Sequence, residues 1–306
     1  MKSDIRHASF ALCALALVFS GCASFSDRNG LWADSREIAR GIRYTTLELD
    51  EPRLMKAFVM KVDLQTPGLK FTGTPRARNW GEPMPDVTNR VCKIDTRRQR
   101  TADFMLEQRA PVAEGGRGRD LVVAVNTEPW DPWEAPFNHQ YGNVYSPMIS
   151  DGVTVSKRGF GRGAIFAVWK DGTAEITREI TGEKAKDVWV SAAGFGIIMT
   201  NAVDIARPDD HALAPRTAFG LSGNRRYLYL LAVDGRQEGY SLGADMHDLC
   251  DILRKAGAAD AMNMDGGGST TLVYWDAEAQ KPVVCNRHGE SGYTRPVAAN
   301  IGIFYE

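Results

Sequence analysis

Apolar and polar positions along this chain follow a two-residue period more often than a helical one, so the pattern predicts strands with few helices. Tyr44 to Leu49 and Ala57 to Leu64 (AFVMKVDL) read as two strands, and Leu69 to Gly73 continues a sheet after the Pro67-Gly68 turn. Residues 74–90 carry three prolines and few aliphatics, which predicts a loop. Thr96 to Gln108 predicts a helix, with Asp95 as its cap. Leu121 to Val125 (LVVAV) is a continuous apolar run suited to a buried strand. Residues 129–150 hold four prolines and no period, and predict a long loop. Strands follow at Gly152 to Ser156, Ala164 to Lys170, Thr173 to Ile180, Val188 to Val190, Gly196 to Thr200 and Arg225 to Val233. Met246 to Ala256 carries the helical stripe Met246, Leu249, Cys250, Leu253 and stops at Gly257. Ala261 to Met264, Thr270 to Trp275 and Ala298 to Tyr305 complete the strands. No repeat or low-complexity linker divides the pattern. The expected fold is a single strand-rich α+β domain over residues 42–306, with mixed sheet directions and a few packing helices.

The first residues stand apart. Lys2 and Arg6 precede ten apolar residues, Phe10 to Phe19, and then Ser20, Gly21 and Cys22. Ten apolar residues are too few to cross a bilayer and suit a signal-peptide core. Small residues before Cys22 resemble the lipobox of bacterial lipoproteins, so residues 1–22 are expected to be a lipoprotein-type signal and 23–41 a tether and entry segment. The expected protein is exported, either periplasmic or held at the outer membrane by lipid on Cys22. That lipid is the only membrane attachment foreseen. A formal net charge of -1 over 306 residues gives no bulk attraction to nucleic acid. Among five cysteines, Cys92, Cys250 and Cys285 lie beyond the signal, an odd number that allows at most one disulfide. No CxxC pair points to zinc. Oligomeric state is left open.

Four segments carry chemistry. In Asn263-Met264-Asp265-Gly266-Gly267-Gly268-Ser269-Thr270-Thr271, three glycines interrupt a strand pattern. Glycine there costs backbone entropy, so something must require bare main chain. Either the turn gathers N–H groups around an anion, or it is a tight corner with no ligand. Asp265 can serve as acid, base, nucleophile or metal ligand. Arg216 in Pro215-Arg216-Thr217 offers a planar fork for phosphate. Asp234, Arg236 and Gln237 follow the Arg225 strand, and Arg295 precedes the last one. Asn126 and Glu128 end the LVVAV strand. His139 lies in the long loop with Trp130, Trp133 and Phe137, aromatic rings that could stack on a sugar. Glycosidic cleavage needs a carboxylate at the anomeric carbon, and a phosphate leaving group needs less protonation than an alcohol.

The segments PRTAFG, VDGRQ-x-GYS, AMNMDGGGSTTL and RPVAANIGIF, in that order over residues 215–304, resemble the phosphodiester glycosidase family. Weaker likeness extends upstream through Thr101 to Leu106, Ala124-Val125-Asn126 and Ile149-Ser150-Asp151-Gly152. The resemblance implies hydrolysis of an N-acetylglucosamine-like sugar from a sugar-1-phosphodiester on a glycan or glycoconjugate, giving free sugar and a phosphomonoester. It implies that Asp265, Arg216, Asp234 and Asn126 line the cleft, with Gly266, Gly267, Gly268 and Arg295 beside them. Asp265 is expected to be the principal catalytic carboxylate and Arg216 the phosphate clamp, with Asp234 and Glu128 as further catalytic candidates. Arg236, Gln237, Asn263, Ser269, Thr270 and His139 complete the expected substrate contacts. Relatives often have aromatic residues where this chain reads Thr127-Glu128-Pro129-Trp130, so Glu128 is particular to this chain and the sugar specificity is left open. No cofactor is required; calcium or magnesium is compatible with the acidic groups. Two alternatives stand: a non-catalytic envelope lipoprotein binding phosphorylated glycans, and a glycosidase acting on ordinary linkages.

Overall fold

The computed structural model describes residues 30–306 apart from 86, 88–91, 134–137, 158–162 and 290–291. The expected signal segment 1–22, the lipidation site Cys22, residues 23–29 of the tether and Phe137 lie outside the described residues.

The fold is mostly β, which corrects the expected α+β class. Strand accounts for 43% of the structure and helix for 12%. The expected mixture of strand directions is also corrected, because every described strand pairing is antiparallel. The long apolar runs are buried by sheets packed against one another, with little help from helices.

One eight-stranded sheet has the order Arg36–Ala39, Ile42–Leu49, Met55–Asp63, Tyr227–Val233, Arg216–Leu221, Asp260–Asn263, Gly196–Thr200, Val203–Asp204. A five-stranded sheet runs Lys281–Val284, Leu272–Asp276, Asp120–Asn126, Asn300–Tyr305, Leu69–Gly73. A second five-stranded sheet runs Val153–Ser156, Met148–Ser150, Val188–Gly194, Ala164–Trp169, Ala174–Thr177. Thr96–Arg97, Tyr141–Val144 and Trp130–Asp131 form a small sheet. The core lies between the larger sheets. Val123, Val125, Phe166, Phe219, Leu230, Met262 and Ile301 meet there with almost no exposed surface. LVVAV thus reads as a continuous apolar run because both of its faces are covered. Its Val123 and Val125 face this core while Leu121 and Ala124 pack under the first helix.

That helix, α1 (Thr101–Arg109), starts later than expected. Residues 96–99 are drawn into sheet pairing instead. Arg98 N–H donates to the Gln140 carbonyl and Gln99 bridges to Val297. Asp95 caps nothing; its carboxylate accepts from Asn143 Nδ2 at 2.6 Å and Val144 N–H at 3.0 Å. The expected loop 129–150 likewise contains three short strands, of two to four residues each, too short to show a period; Trp130–Asp131 pairs with Tyr141–Val144, and Met148–Ser150 with Val153–Ser156. The second helix, α2 (Met246–Ala256), matches its stripe. Asp245 and Asp248 form a reciprocal cap at its start, and Gly257 ends it with φ 109°. Its apolar face covers Tyr229, Leu231 and Val59 on the eight-stranded sheet. No disulfide joins Cys92, Cys250 and Cys285 to one another. No helix among the described residues is long and apolar enough to cross a membrane.

Candidate active site

Antiparallel pairing brings the chemistry-bearing segments to one end of the sheets. Arg216 stands opposite Val233, so the start of one strand meets the Asp234–Arg236 turn after the other. Ala218 stands opposite Asn263, which delivers Asp265 to the same end. Asn126 ends its strand opposite Asn300 and connects the two sheets there.

Asn126 is the keystone of that junction. It is fully buried. Its side-chain amide donates to the Asp265 carbonyl at 2.6 Å, and its oxygen accepts from Thr217 Oγ1 at 2.8 Å and Thr271 N–H at 2.9 Å. The Asp265 N–H donates to the Thr127 carbonyl at 2.8 Å. Both peptide groups flanking the Asp265 side chain are therefore fixed from the Asn126-Thr127 strand end, so Asn126 positions Asp265 from beneath.

The glycines are required by close approach. A Cβ on Gly266 would sit 2.8 Å from the Pro215 carbonyl oxygen, and one on Gly268 would sit 2.5 Å from Arg295 Nη2. Gly267 adopts φ 60° and donates its N–H to Pro215 at 2.8 Å. The turn then spends further N–H groups on itself: Ser269 donates to Gly266 and Thr270 to Gly267. Convergence of all these N–H groups on an anion, one of the two readings left open by the sequence, is not what the turn is built for. It lets Arg216 and Arg295 pack against bare main chain.

A cleft of about 360 Å³ opens above this turn. Asp265, Gly266, Gly267 and Gly268 form its floor, and Arg216, Arg236 and Arg295 stand around it. Trp130, Trp133, Tyr145 and Phe195 supply an aromatic wall. The three guanidiniums form no ion pair among the described residues. Arg216 donates to the carbonyls of Ala244 at 3.1 Å and Ala212 at 2.6 Å. Arg295 stacks over Trp133 at 4.6 Å and donates to Ser269 Oγ at 3.3 Å. Burial lowers the pKa of both from the usual value, opposed at Arg216 by the charges of Asp210 and Asp245 and at Arg295 by that of Asp265. Arg236 holds φ 58°, a costly conformation for a residue with a side chain, and strain of this kind collects at functional sites.

Asp265 is the only carboxylate among the described residues lining the cleft. Its carboxyl is enclosed although the residue keeps some exposed surface. Burial raises its pKa to about 7, opposed by hydrogen bonding to Ser269, the charge of Arg295 and the Gly266 N–H. An acid with that pKa changes protonation at neutral pH, as general acid–base catalysis requires.

The other expected residues do not line the cleft. Asp234 is buried, and both its oxygens accept the Arg287 N–H, at 2.8 and 3.1 Å. Tyr240 also donates to it, and burial pushes its pKa up to about 6. Gln237 Nε2 donates to the Arg287 carbonyl at 3.0 Å. Asp234 and Gln237 thus grip one residue by both its N–H and its carbonyl, anchoring the segment that leads to Arg295. Glu128 is buried beside Ala193, whose N–H it accepts at 2.9 Å, and its other oxygen has no hydrogen-bond partner among the described residues. Burial raises its pKa well above the usual carboxylate range. Asn263 is a buried strand residue, Thr270 accepts Asn286 through its carbonyl, and His139 is buried with its carbonyl held by Arg98. Ser269 reaches the site through Asp265 and Arg295.

Tyr145 and Phe195 were missed in the sequence. Phe195 had a readable signal: it lies between Gly194 and Gly196 and is 46% exposed, an aromatic presented where it covers no core. Tyr145 had none, since its placement depends on donating to Asp131 Oδ1 at 2.5 Å. Among the described residues, no group of three or more His, Cys, Asp or Glu side chains gathers to hold a metal. One carboxylate facing three guanidiniums is a donor set unsuited to calcium or magnesium.

Fold and site together define a mostly-β protein whose cleft sets three guanidiniums, an aromatic wall and one carboxyl of raised pKa side by side. The phosphodiester glycosidase family model matches residues 119–304, and the chain belongs to that family. It is 27% identical over 190 residues to the bovine N-acetylglucosamine-1-phosphodiester alpha-N-acetylglucosaminidase, covering 55% of this chain and 34% of that protein. The human counterpart is 27% identical over 189 residues, covering 54% of this chain and 34% of that one. The match thus spans about a third of the length of these relatives. The catalytic domain of the zebrafish enzyme superposes with a TM-score of 0.58 at 15% identity, covering 89% of this chain and 85% of that one. A Synechocystis protein described as hypothetical superposes with 0.56 at 12% identity, covering 90% and 65%. At these identities the superpositions establish the fold.

Proposed function

We propose that the protein hydrolyses a sugar-1-phosphodiester, releasing an N-acetylglucosamine-like sugar from a glycan or glycoconjugate. One observation carries this reading: a single carboxylate and three arginines without ion pairs share one cleft. An ordinary glycosidase needs a second carboxyl group to protonate its alcohol leaving group. Asp234 and Glu128, the two candidates, are turned into the protein. A phosphomonoester leaves as an anion, and Arg216, Arg236 and Arg295 stabilise that charge as it develops. The activity for which the bovine and human relatives are named supports the same reading.

In this mechanism the sugar ring lies against Trp130 and Trp133 and the phosphate faces the three arginines. Ionised Asp265 acts at the anomeric carbon by one of two routes. As base it takes a proton from water, whose oxygen adds to C1 as the C1–O bond to phosphate breaks, and it then passes that proton to solvent. As nucleophile it bonds to C1 as the same C1–O bond breaks; water oxygen then adds to C1, the ester bond breaks to restore the carboxylate, and the water proton leaves to solvent. The stereochemistry of the released sugar separates the two roles, retention marking a nucleophile and inversion a base.

The test is to incubate the protein with a sugar-1-phosphodiester and with the plain glycoside of the same sugar. Release of sugar from the diester alone is the expected result. Equal release from the plain glycoside, or binding without release from either, would contradict it. Export, with lipid on Cys22, belongs to the same proposal. Fractionation of cells making the wild-type chain and Cys22→Ala should move the protein from membrane to soluble fraction.

A further inference from the structure

A groove of about 840 Å³, more than twice the cleft's volume, takes no part in the reading above. Four arginines from three separate stretches of chain line it: Arg76 and Arg78, Arg97, and Arg117. They face two glutamates, Glu107 and Glu114. Arg97 is paired with Glu107 at 2.7 Å. Arg76 lies flat over Trp80 at 3.7 Å and donates to the Thr154 carbonyl at 2.6 Å. Arg78 and Arg117 are exposed and form no ion pair among the described residues. On a chain of net charge -1, this is a local excess of positive charge that the rest of the surface balances.

The groove is also built to stay open. Gly115 and Gly118 hold φ 85° and 64°, and a Cβ on Gly116 would sit 2.1 Å from the Ala110 carbonyl oxygen. The loop bearing Arg117 is thereby folded back on the end of α1. Leu106, 45% exposed, and Tyr141 give the groove apolar area beside its charges.

The groove adjoins the cleft. Gln99, in its wall, bridges to Val297, and Arg98 donates to the Pro296 carbonyl at 3.1 and 2.9 Å. Arg100 lies 5.7 Å from the Tyr293 ring. The segment Tyr293–Val297 thus touches the groove's wall and its neighbours, and Arg295 on that segment lines the cleft.

We infer that this groove is a second ligand site, which holds the anionic glycan chain whose terminal sugar is presented to the cleft. The inference rests on the reading that a glycan carries the scissile diester, and adds that the glycan is itself polyanionic. Guanidiniums meet its acidic groups, while Leu106 and Tyr141 meet the apolar faces of its sugars.

Binding is measured on the intact chain by fluorescence anisotropy. The probes are a labelled sulfated dextran decasaccharide, neutral dextran of equal length, a single-stranded oligonucleotide of equal charge, and phosphatidylglycerol vesicles. The expected result is binding of the sulfated glycan ahead of the other three, weakening with added salt. Arg78→Glu with Arg117→Glu should weaken it roughly tenfold or more, and the milder Arg78→Gln with Arg117→Gln should do so less. Hydrolysis of a small sugar-1-phosphodiester should be unchanged in both. Unaltered glycan affinity in the charge-reversed variant would overturn the inference, as would tighter binding of the oligonucleotide or the vesicles. If the wild-type chain fails to cleave the small diester, the hydrolase reading falls, and the binding measurements still decide the groove.

Discussion

At the residue scale, several side chains act by placing others. Gly268 leaves room for the Arg295 guanidinium, whose nearest nitrogen would lie 2.5 Å from an added Cβ. Because that neighbour is the far end of a flexible side chain, Gly268→Ala should fold normally and displace Arg295. We expect kcat/KM for a sugar-1-phosphodiester to fall roughly tenfold to a hundredfold with an unchanged melting temperature; a normal rate would show that Arg295 need not stand there. Asp234 makes a second case. It resembles a catalytic residue in sequence, yet it holds the Arg287 main chain and faces no cleft. Asp234→Asn sets an amide against that N–H and should raise KM while the pH dependence near 7 survives. Loss of that pH dependence would return Asp234 to the chemistry. In sequence an Asp that grips a distant backbone N–H is indistinguishable from one that touches substrate. That is why Asp265, Arg216 and Arg295 were readable as a set, while Asp234, Asn126 and Glu128 were given the wrong surroundings.

At the element scale, legibility followed locality. Helix α2 was readable because its stripe, its reciprocal cap and its terminal glycine all lie within one short stretch. Residues 96–99 were not, because their strand character comes from Gln140 and Val297, far along the chain. The strands hidden in 129–150 fail for another reason: they pair close by, but each is only two to four residues long and too short to carry a period. The cap on α2 also supports the site, since the Ala244 carbonyl just before it accepts from Arg216. Asp245→Ala removes the side chain that accepts the Asp248 N–H. It should cost about 1 kcal/mol in denaturant unfolding and weaken phosphate binding together with stability. A variant as stable as wild type would show that this cap is not holding the helix end.

At the scale of the whole molecule, the site is held at a cost to stability. Burial raises Asp265 to about 7 and Asp234 to about 6, each from an ordinary value of 3.8. A carboxyl whose folded pKa is raised contributes stability below its unfolded pKa and loses it as pH rises through the folded one. These two groups should therefore make the protein less stable at pH 8 than at pH 5. Asp265→Asn removes one of them, so its advantage in melting temperature over wild type should be larger at pH 8 than at pH 5. An equal offset at both would mean that Asp265 titrates normally. Such a gain with lost activity is the usual trade at a catalytic centre.

The most direct measurement is the pH dependence of kcat/KM for one sugar-1-phosphodiester between pH 5 and 8, for wild type and for Asp265→Asn. The account predicts a wild-type rate that climbs through an apparent pKa of about 7. It predicts an intact variant slower by roughly a hundredfold to ten-thousandfold at every pH. A flat wild-type profile, or a variant working at near-normal rate, would contradict it.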